Sequence, residues 1–283
     1  MDLARRGATV VVNDAGFKTV AGTDRDPAVA EAVAAEIRRS GGRASADSSD
    51  VSVPAEATKA VEDAVARFGK LDIVVNNAGN QRFLRFAETE RSDYESLIGI
   101  HLGGTFNITK AAWPHMARAG YGRLVFTTSQ VGFYGQVDAV AYGAAKAGIM
   151  GLMHGIKLDS AATGIKVNCV SPFAFTRMVV DLFPRELADH IAPEHVSAAV
   201  SYLASEECKL NGEVLIAGGG HFCIARTIET NGIDIADPAQ ITAENVAANI
   251  DTIADTSRFQ LYPDALAAVS VTFDRLSRQA TSS

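Results

Sequence analysis

Residues Arg123–Lys146 have the sequence RLVFTTSQVGFYGQVDAVAYGAAK, and this stretch decides the fold. The apolar, β-branched run at its start predicts a strand over Arg123–Thr128, and the small residues at its end begin a helix predicted over Val140–Thr163. Ser129 follows the strand directly, at the position where open α/β sheets bind their ligands. We therefore expect a β-α unit with reactive side chains at the carboxyl end of its strand.

The same alternation of strands and helices extends outward in both directions. Strands are predicted over Ala8–Val12, Arg43–Ala46, Leu71–Val75, Lys166–Val170 and Glu213–Ala217. Further helices are predicted over Ala28–Arg39, Pro54–Phe68, Arg91–Ala119 and Pro193–Ala204. This order predicts parallel β-α-β units and a doubly wound, Rossmann-like α/β fold. We expect the domain to cover residues 1–220, with 221–283 as a C-terminal extension packed on it or on a neighbouring subunit.

The composition argues against several classes of protein. Apolar residues make up 47% of the 283 residues, which is enough for a sizeable core. The formal net charge is -7, so no basic surface is expected to bind nucleic acid or an anionic membrane. No apolar run reaches the about 20 residues that cross a bilayer, and the three cysteines form no pair typical of a metal site or a disulfide framework. We expect a cytoplasmic protein that acts on a small molecule.

Tyr142 and Lys146 lie four residues apart in the predicted helix and therefore on one face of it. The pKa of tyrosine is near 10, about three units too high for acid/base work at neutral pH, a gap worth about 4 kcal/mol. A lysine ammonium one turn away lowers that pKa, and an oxidised nicotinamide ring would lower it further. Tyrosine and lysine at this spacing also occur by chance in helices. What favours catalysis is that Ser129 and Asn76-Asn77-Ala78-Gly79 fall at the same sheet edge.

Four motifs, in this order, resemble the signatures of the short-chain dehydrogenase/reductase family: Asn76-Asn77-Ala78-Gly79, Ser129, Tyr142-x-x-x-Lys146 and Ser171-Pro172. The resemblance covers about residues 5–220 and implies an enzyme that moves a hydride between a nicotinamide cofactor and an alcohol or ketone. It implies that Tyr142 is the acid/base and that Ser129 polarises the substrate oxygen. By the same resemblance Lys146 lowers the tyrosine pKa and binds the nicotinamide ribose.

The resemblance also implies where the cofactor lies. Tyr142 and Lys146 would contact it, Asn77, Ala78 and Gly79 would line it, and Pro172, Ala174 and Thr176 would close over its nicotinamide end.

The preference between the two nicotinamide cofactors depends on Asp14. This carboxylate ends the first predicted strand, where it would accept hydrogen bonds from the adenosine ribose and repel a 2′-phosphate, so NAD is favoured over NADP. Asn13-Asp14-Ala15-Gly16 is also a good turn sequence, which is the alternative interpretation. Asp50 and Val51 resemble the pair that contacts adenine in the family, or else they are a polar turn residue beside a core valine.

His101 stands where the family usually has an asparagine that supports a proton relay. It would either shuttle a proton, since its ordinary pKa is near 6.5, or be a structural histidine of the helix. A histidine here is similar to the family branch of the peroxisomal multifunctional enzymes, which act on (R)-3-hydroxyacyl-CoA and hydroxysteroids. An apolar loop after Pro172 favours such an acyl or steroid-type substrate. The resemblance implies a homodimer or homotetramer packed through the long helices.

The family's first strand and its Thr-Gly-x-x-x-Gly-x-Gly turn, which holds the cofactor pyrophosphate, have no counterpart before Ala8. Residues 2–6 correspond instead to the last turn of the first helix, so we expect about 20 to 25 residues of a β-α unit to be missing and Met1 to be an internal methionine. Two other hypotheses follow. One is a truncated, non-catalytic subunit or binding protein, and the other is an NADPH-dependent reductase of 3-oxoacyl thioesters.

Overall fold

The computed structural model describes residues 1–17, 24–176 and 185–281. The chain forms two compact units, Met1–Ala225 and Arg226–Ser283. The division falls after Ala225 rather than after Gly220, because a strand that the sequence pattern did not reveal follows the glycines. Among the described residues, no helix has both the length and the apolar character needed to cross a membrane.

The first unit is an alternation of strands and helices. Its strands are β1 (Thr9–Asn13), β2 (Arg43–Asp47), β3 (Ile73–Asn76), β4 (Gly122–Thr127), β5 (Ile165–Pro172), β6 (Val214–Gly218) and β7 (His221–Ala225). Its helices are α1 (Asp2–Arg5), α2 (Ala28–Arg39), α3 (Pro54–Phe68), α4 (Arg91–Ile98), α5 (Gly104–Ala119), α6 (Val131–Tyr134), α7 (Val140–Asp159) and α8 (Pro193–Leu203). Proline at the first turn of α3 and a left-handed glycine after its last turn explain why that helix has the predicted bounds.

The strands form two separate sheets. One has the order β3-β4-β5-β6-β7, parallel except for β7, and the other pairs β1 with β2 in parallel. The parallel strand order confirms the predicted Rossmann-like α/β fold, and among the described residues no strand joins β1 to β3. All six residues of β4 are buried, whereas no residue of β1 is fully buried, as expected of a strand with one neighbour missing.

Apolar clusters cover both faces of the larger sheet. On one face Phe126, Val167 and Cys169 pack with residues of α3, α5 and α7, among them Met116 and Met153. On the other face Val125, Val170 and Ala217 pack with residues of α8, and Leu3 of α1 adds to this cluster. With both faces covered, the ends of the strands are the part of the sheet that can hold a ligand.

Three predicted elements differ from the structure. The helix predicted over Arg91–Ala119 contains a π-helical segment, Gly99–Gly103, between α4 and α5. Helix α7 ends at Asp159 instead of Thr163, since the chain turns there to reach Gly164. Gly219 and Gly220 both have positive φ and turn the chain from β6 into the antiparallel β7, which the sequence analysis missed.

The second unit is small and has short elements. They are β8 (Glu229–Thr230), α9 (Ala243–Ala248), α10 (Ile250–Ile253), β9 (Phe259–Gln260) and α11 (Ala265–Thr281). Strands β8 and β9 pair in antiparallel fashion, and the Thr242 side chain caps α9. The sequence Thr242-Ala243-Glu244-Asn245 predicts a helix start that leads into Val246–Ala254; the helix does begin there, at Ala243, but it breaks at Asn249 into two helices.

Gly164 lies in the turn between α7 and β5, where it packs against the turn that follows α5. Its φ is 70°, and a Cβ there would lie 2.1 Å from the carbonyl oxygen of Gly120. We expect Gly164→Ala to lower the free energy of unfolding by about 2 kcal/mol or more, measured by urea denaturation. Gly151→Ala is the control, because a Cβ on this exposed face of α7 meets open space. It should leave stability unchanged or raise it by up to about 1 kcal/mol; equal losses in the two variants would contradict this account.

Candidate active site

Ser129, Tyr142 and Lys146 meet at the carboxyl end of β4. The Ser129 hydroxyl accepts a hydrogen bond from the amide of Val131 at 3.2 Å, which fixes it at the start of α6. A side-chain hydrogen bond links Ser129 to Tyr142. The Nζ of Lys146 lies 5.5 Å from the centre of the Tyr142 ring. The structure therefore brings together the three residues that the sequence placed at one edge.

Lys146 is tied to the end of β4 at both its backbone and its side chain. Its Nζ donates to the carbonyl of Thr127 at 2.7 Å, and its own carbonyl accepts from the hydroxyl of Thr128 at 2.8 Å. The residue is 3% exposed. Burial lowers its pKa to about 8, so at neutral pH it still carries a charge. These two bonds hold α7 at a fixed height on the sheet.

Tyr142 is mostly enclosed, and its pKa is raised above the ordinary value, because the effect of burial exceeds that of a hydrogen bond. Burial raises the pKa, and the hydrogen bond from Ser129 lowers it because that bond favours the phenolate. The ring of His101 stands edge-on to the tyrosine ring, with centroids 5.3 Å apart. The tyrosine is thus held between a serine, a histidine and the lysine of its own helix.

His101 lies in the π-helical segment and is 2% exposed. Its Nε2 lies 2.7 Å from the carbonyl oxygen of Asn80 and 3.3 Å from the amide nitrogen of the same residue; we assign the proton to Nε2 from the shorter contact, which leaves the lone pair on Nδ1. Burial, and then the charge of Lys146, lower the pKa of His101 to about 3. Of the two sequence hypotheses, a proton carrier that passes through the cationic ring is therefore disfavoured. The neutral ring can still accept a hydrogen bond at Nδ1.

The loop after β3 is shaped by that histidine. A Cβ on Gly79 would lie 2.3 Å from Cε1 of His101, so only glycine fits beside the ring. Asn77, Ala78 and Gly79 are exposed along this edge. The side chain of Asn77 accepts a hydrogen bond from the Thr127 hydroxyl at 3.2 Å, which joins the loop to β4. The three residues predicted to line the cofactor thus lie beside the catalytic group.

Asp14 lies at the end of β1 and is exposed. One of its carboxylate oxygens accepts from the amide of Gly16 at 2.8 Å, as in the turn that the sequence suggested. Asp50 is 8% exposed, and its carboxylate already binds the amide and hydroxyl of Ser52 and the guanidinium of Arg25. Val51 is 9% exposed and packs where a Cβ on Gly104 would stand. Asp50 and Val51 therefore both make structural contacts, and their contact with adenine stays a prediction.

The segment after β5 runs along the same edge. The amide of Phe173 donates to Ala217 at 2.8 Å, and the amide of Phe175 donates to Ile191 at 2.8 Å. Pro172, Ala174 and Thr176 are partly or fully exposed between these anchors. Arg177, which the family resemblance places over the nicotinamide end, and Met178 and Phe183 of the apolar loop predicted after Pro172 lie outside the described residues.

The described residues suit a nicotinamide dinucleotide at its two ribose ends. An exposed carboxylate at Asp14 after β1 can accept from ribose hydroxyls, and Lys146 and Tyr142 supply an ammonium and a phenol at the end of β4. Asn80 Oδ1, His101 Nδ1 and Ser171 Oγ are buried polar atoms without a partner in the described part of the chain, and they flank the catalytic edge. The sequence has no glycine-rich turn before β1 for the pyrophosphate, so the fit rests on these ends.

The sequence analysis did not identify three groups that contribute to the site. The Thr127 carbonyl that binds Lys146 is a backbone group, which no side-chain motif reveals. Asn80 holds His101 through its own backbone. Arg25 lies in the segment between β1 and α2, and the sequence analysis assigned it no role. Among the described residues, no group of three or more histidines, cysteines or acids could hold a metal ion.

Comparison with known proteins gives the same assignment as the geometry. Residues 6–186 match the model of the short chain dehydrogenase family, whose members use NAD(H) or NADP(H). A crystal structure of a short chain dehydrogenase from Mycobacterium avium superposes with a TM-score of 0.76 at 33% identity, over 89% of this chain and 88% of that one.

Three curated relatives are similar in sequence. A short-chain type dehydrogenase/reductase of Mycobacterium tuberculosis is 37% identical over 91% of this chain and 89% of its own length. Peroxisomal multifunctional enzyme type 2 of Mus musculus is 37% identical over 90% of this chain, which spans 34% of that enzyme. A hydroxyacyl-CoA dehydrogenase of Mycobacterium tuberculosis is 34% identical, over 86% of this chain and 81% of its own.

The contact between Gly79 and His101 predicts non-additive stability. We expect Gly79→Ala to lower the free energy of unfolding by about 1–3 kcal/mol, because the new methyl group overlaps the imidazole ring. Once His101→Ala has removed the ring, adding Gly79→Ala should cost little. The measurement is a double-mutant cycle by urea denaturation, and additive losses would show that the two residues do not meet.

The low pKa of His101 predicts a pH dependence of stability. Its folded-state pKa is about 3 against an ordinary value of 6.5, so between these values the unfolded chain binds the proton and the folded chain does not. Stability from this group is therefore full above pH 6.5 and falls as the pH falls towards 3, by at most about 1.4 kcal/mol per pH unit. His101→Gln should show a shallower fall than the parent between pH 6 and 4. Parallel curves for the two proteins would contradict the shift.

Proposed function

Because the chain belongs to the short-chain dehydrogenase family, we propose that it oxidises the secondary alcohol of a 3-hydroxyacyl-CoA or a hydroxysteroid-type substrate to a ketone with NAD. Membership of the family makes the chain an oxidoreductase. The choice of substrate, the use of NAD and the direction are parts of the proposal.

The observation that carries the proposal is the placement of Tyr142. The phenol lies at the mouth of the sheet edge with a hydrogen bond from Ser129 on one side and the buried ammonium of Lys146 on its own helix. The Ser129 hydrogen bond favours the phenolate, and the charge of Lys146 would favour it too, in opposition to burial, which raises the tyrosine pKa. A tyrosine in this position can take the proton from a substrate hydroxyl.

Each residue then has a distinct task. When substrate binds, Ser129 donates its one hydroxyl proton to the substrate oxygen instead of to Tyr142, and the phenolate form of Tyr142 accepts the proton that the substrate hydroxyl loses. Lys146 supplies the positive charge that lowers the tyrosine pKa, and it can do so only while it is protonated, that is below about pH 8. The bound nicotinamide supplies the hydride acceptor. His101 keeps the Asn80 backbone and the Tyr142 ring in place.

The substrate class is supported by two relatives. One is named a hydroxyacyl-CoA dehydrogenase, and the other is a multifunctional enzyme of which this chain matches about a third. The apolar Phe173, 37% exposed, follows β5 at the catalytic edge and suits an acyl chain better than a sugar. The NAD preference is supported by the exposed Asp14 at the end of β1.

Removal of the phenol hydroxyl tests the proposal directly. We expect Tyr142→Phe to lower kcat/KM for NAD reduction with (R)-3-hydroxybutyryl-CoA and longer homologues by about 10²–10⁴-fold, the usual worth of a general acid/base. Tyr94→Phe is the matched control, because Tyr94 is on α4, is 40% exposed and stacks on Arg91. It should retain the parent activity.

Several outcomes would reject the proposal. Equal activity of Tyr142→Phe and the parent would remove the tyrosine from the chemistry. Faster turnover of a 3-oxoacyl thioester with NADPH than of the hydroxyacyl-CoA with NAD would favour a reductase. A folded chain with no turnover of any member of a hydroxyacyl-CoA and hydroxysteroid panel would favour a non-catalytic subunit.

A further inference from the structure

The chain that leaves β1 folds back on itself beside the site for the adenosine ribose. Phe17 and Arg25 form an antiparallel bridge, and the amide of Asp26 donates to the carbonyl of Gly16 at 2.9 Å. A Cβ on Gly16 would lie 2.1 Å from the Asp26 carbonyl oxygen, and its φ is 71°. Gly16 and Phe17, which follow Asp14, are therefore in close contact with Arg25 and Asp26, which precede α2.

Arg25 is fastened to the start of α3. Its two terminal nitrogens lie 2.8 and 3.3 Å from the two carboxylate oxygens of Glu56, a two-point contact. One of them, Nη2, also lies 3.2 Å from the carboxylate of Asp50. Glu56 is itself held, since it accepts from the amide of Asp50 at 2.8 Å. The guanidinium also lies over the Phe17 ring, 5.1 Å from its centre. Its hydrogen-bonding face is therefore directed at carboxylates of the protein.

The same edge carries Asp14. The amide of Asp14 donates to Asp47 at the end of β2, and Asp50 follows three residues after that strand ends. Asp50 and Glu56 thus place two carboxylates on the Arg25 guanidinium, and Asp14 adds a third carboxylate directly after β1. This excess of negative charge repels a phosphate. An arginine whose guanidinium is not paired with carboxylates is the group that accommodates a 2′-phosphate in such sites.

We propose that Glu56, by holding Arg25, is a specificity-determining residue that excludes the 2′-phosphate of NADP and leaves the adenosine end selective for NAD. This inference rests on the proposed use of a nicotinamide dinucleotide, and it adds a second determinant to Asp14. Arg25 is one-third exposed, so once released it has room to turn towards solvent. Loss of Glu56 removes the two-point contact and leaves Arg25 only its single 3.2 Å contact with Asp50, so the guanidinium becomes able to bind a phosphate.

The experiment compares two adenosine fragments on the full 283-residue chain. Dissociation constants for adenosine 5′-monophosphate and adenosine 2′,5′-bisphosphate are measured by ligand-detected NMR titration, which requires no turnover. The parent should prefer the monophosphate. Glu56→Gln should shift the ratio towards the bisphosphate by about fivefold or more, the scale of a charge-assisted contact at a partly exposed site. Glutamine can still accept from the Asp50 amide, so the turn should persist.

Two further variants separate the proposed contact from a general change of charge. Asp63→Asn removes one carboxylate from the same helix, where Asp63 pairs with Lys59 on the exposed side, and should leave the ratio unchanged. Arg25→Gln combined with Glu56→Gln should lose the gain. The inference is overturned if Asp63→Asn shifts the ratio as much, if the gain survives without Arg25, or if Glu56→Gln folds, binds the monophosphate and shows no shift. Failure of the parent to bind the monophosphate, NAD or NADP would instead reject the dinucleotide itself.

Discussion

A buried ammonium can be tolerated only where the protein gives it acceptors, and the site is organised around that requirement at Lys146. The Thr127 carbonyl at the last residue of β4 is the acceptor, and the Thr128 hydroxyl returns a bond to the backbone of the lysine. These contacts join one turn of α7 to one point on the sheet. The position of Tyr142, one turn earlier, follows from helix geometry, and Ser129 follows from being two residues after Thr127. The meeting of Ser129, Tyr142 and Lys146 thus follows from the way α7 packs against the end of β4.

The two sheets of the first unit differ in how completely they are covered. β4 is buried along its whole length, and helices cover both of its faces, so the five-stranded sheet has a complete core at the catalytic end. β1 and β2 stand apart, and α2 packs against them. The residues proposed to bind adenosine therefore follow strands of a different sheet from those that carry Ser129, Tyr142 and Lys146. In the described residues the two ends are linked through contacts such as that of Asn107 on α5 with the Val51 carbonyl.

Much of this arrangement could be predicted because it depends on periodic patterns and strand ends. The bounds of α2 and α3 follow from their caps and amphipathic spacing, and the meeting of Ser129, Tyr142 and Lys146 follows from parallel topology. The π-helical segment could not be predicted, because no residue type marks a five-residue turn. β7 was missed because three glycines suggested an end, not a hairpin. The neutrality of His101 depends on burial and on a lysine 45 positions away in the chain, and periodicity carries no such information.

The π-helical segment Gly99–Gly103 has a consequence for how this sequence can vary in length. A π turn holds one residue more than an α turn, so it is equivalent to a single-residue insertion in an otherwise regular helix. Deletion of one residue there would let α4 and α5 merge into a continuous α-helix, which has 3.6 residues per turn. The residues before the deletion would then be rotated by about 100° relative to those after it, and His101 would no longer face Gly79 and Asn80. The helix would become more regular as the site was lost, so this segment is a place where a shorter chain is a better helix but a poorer scaffold.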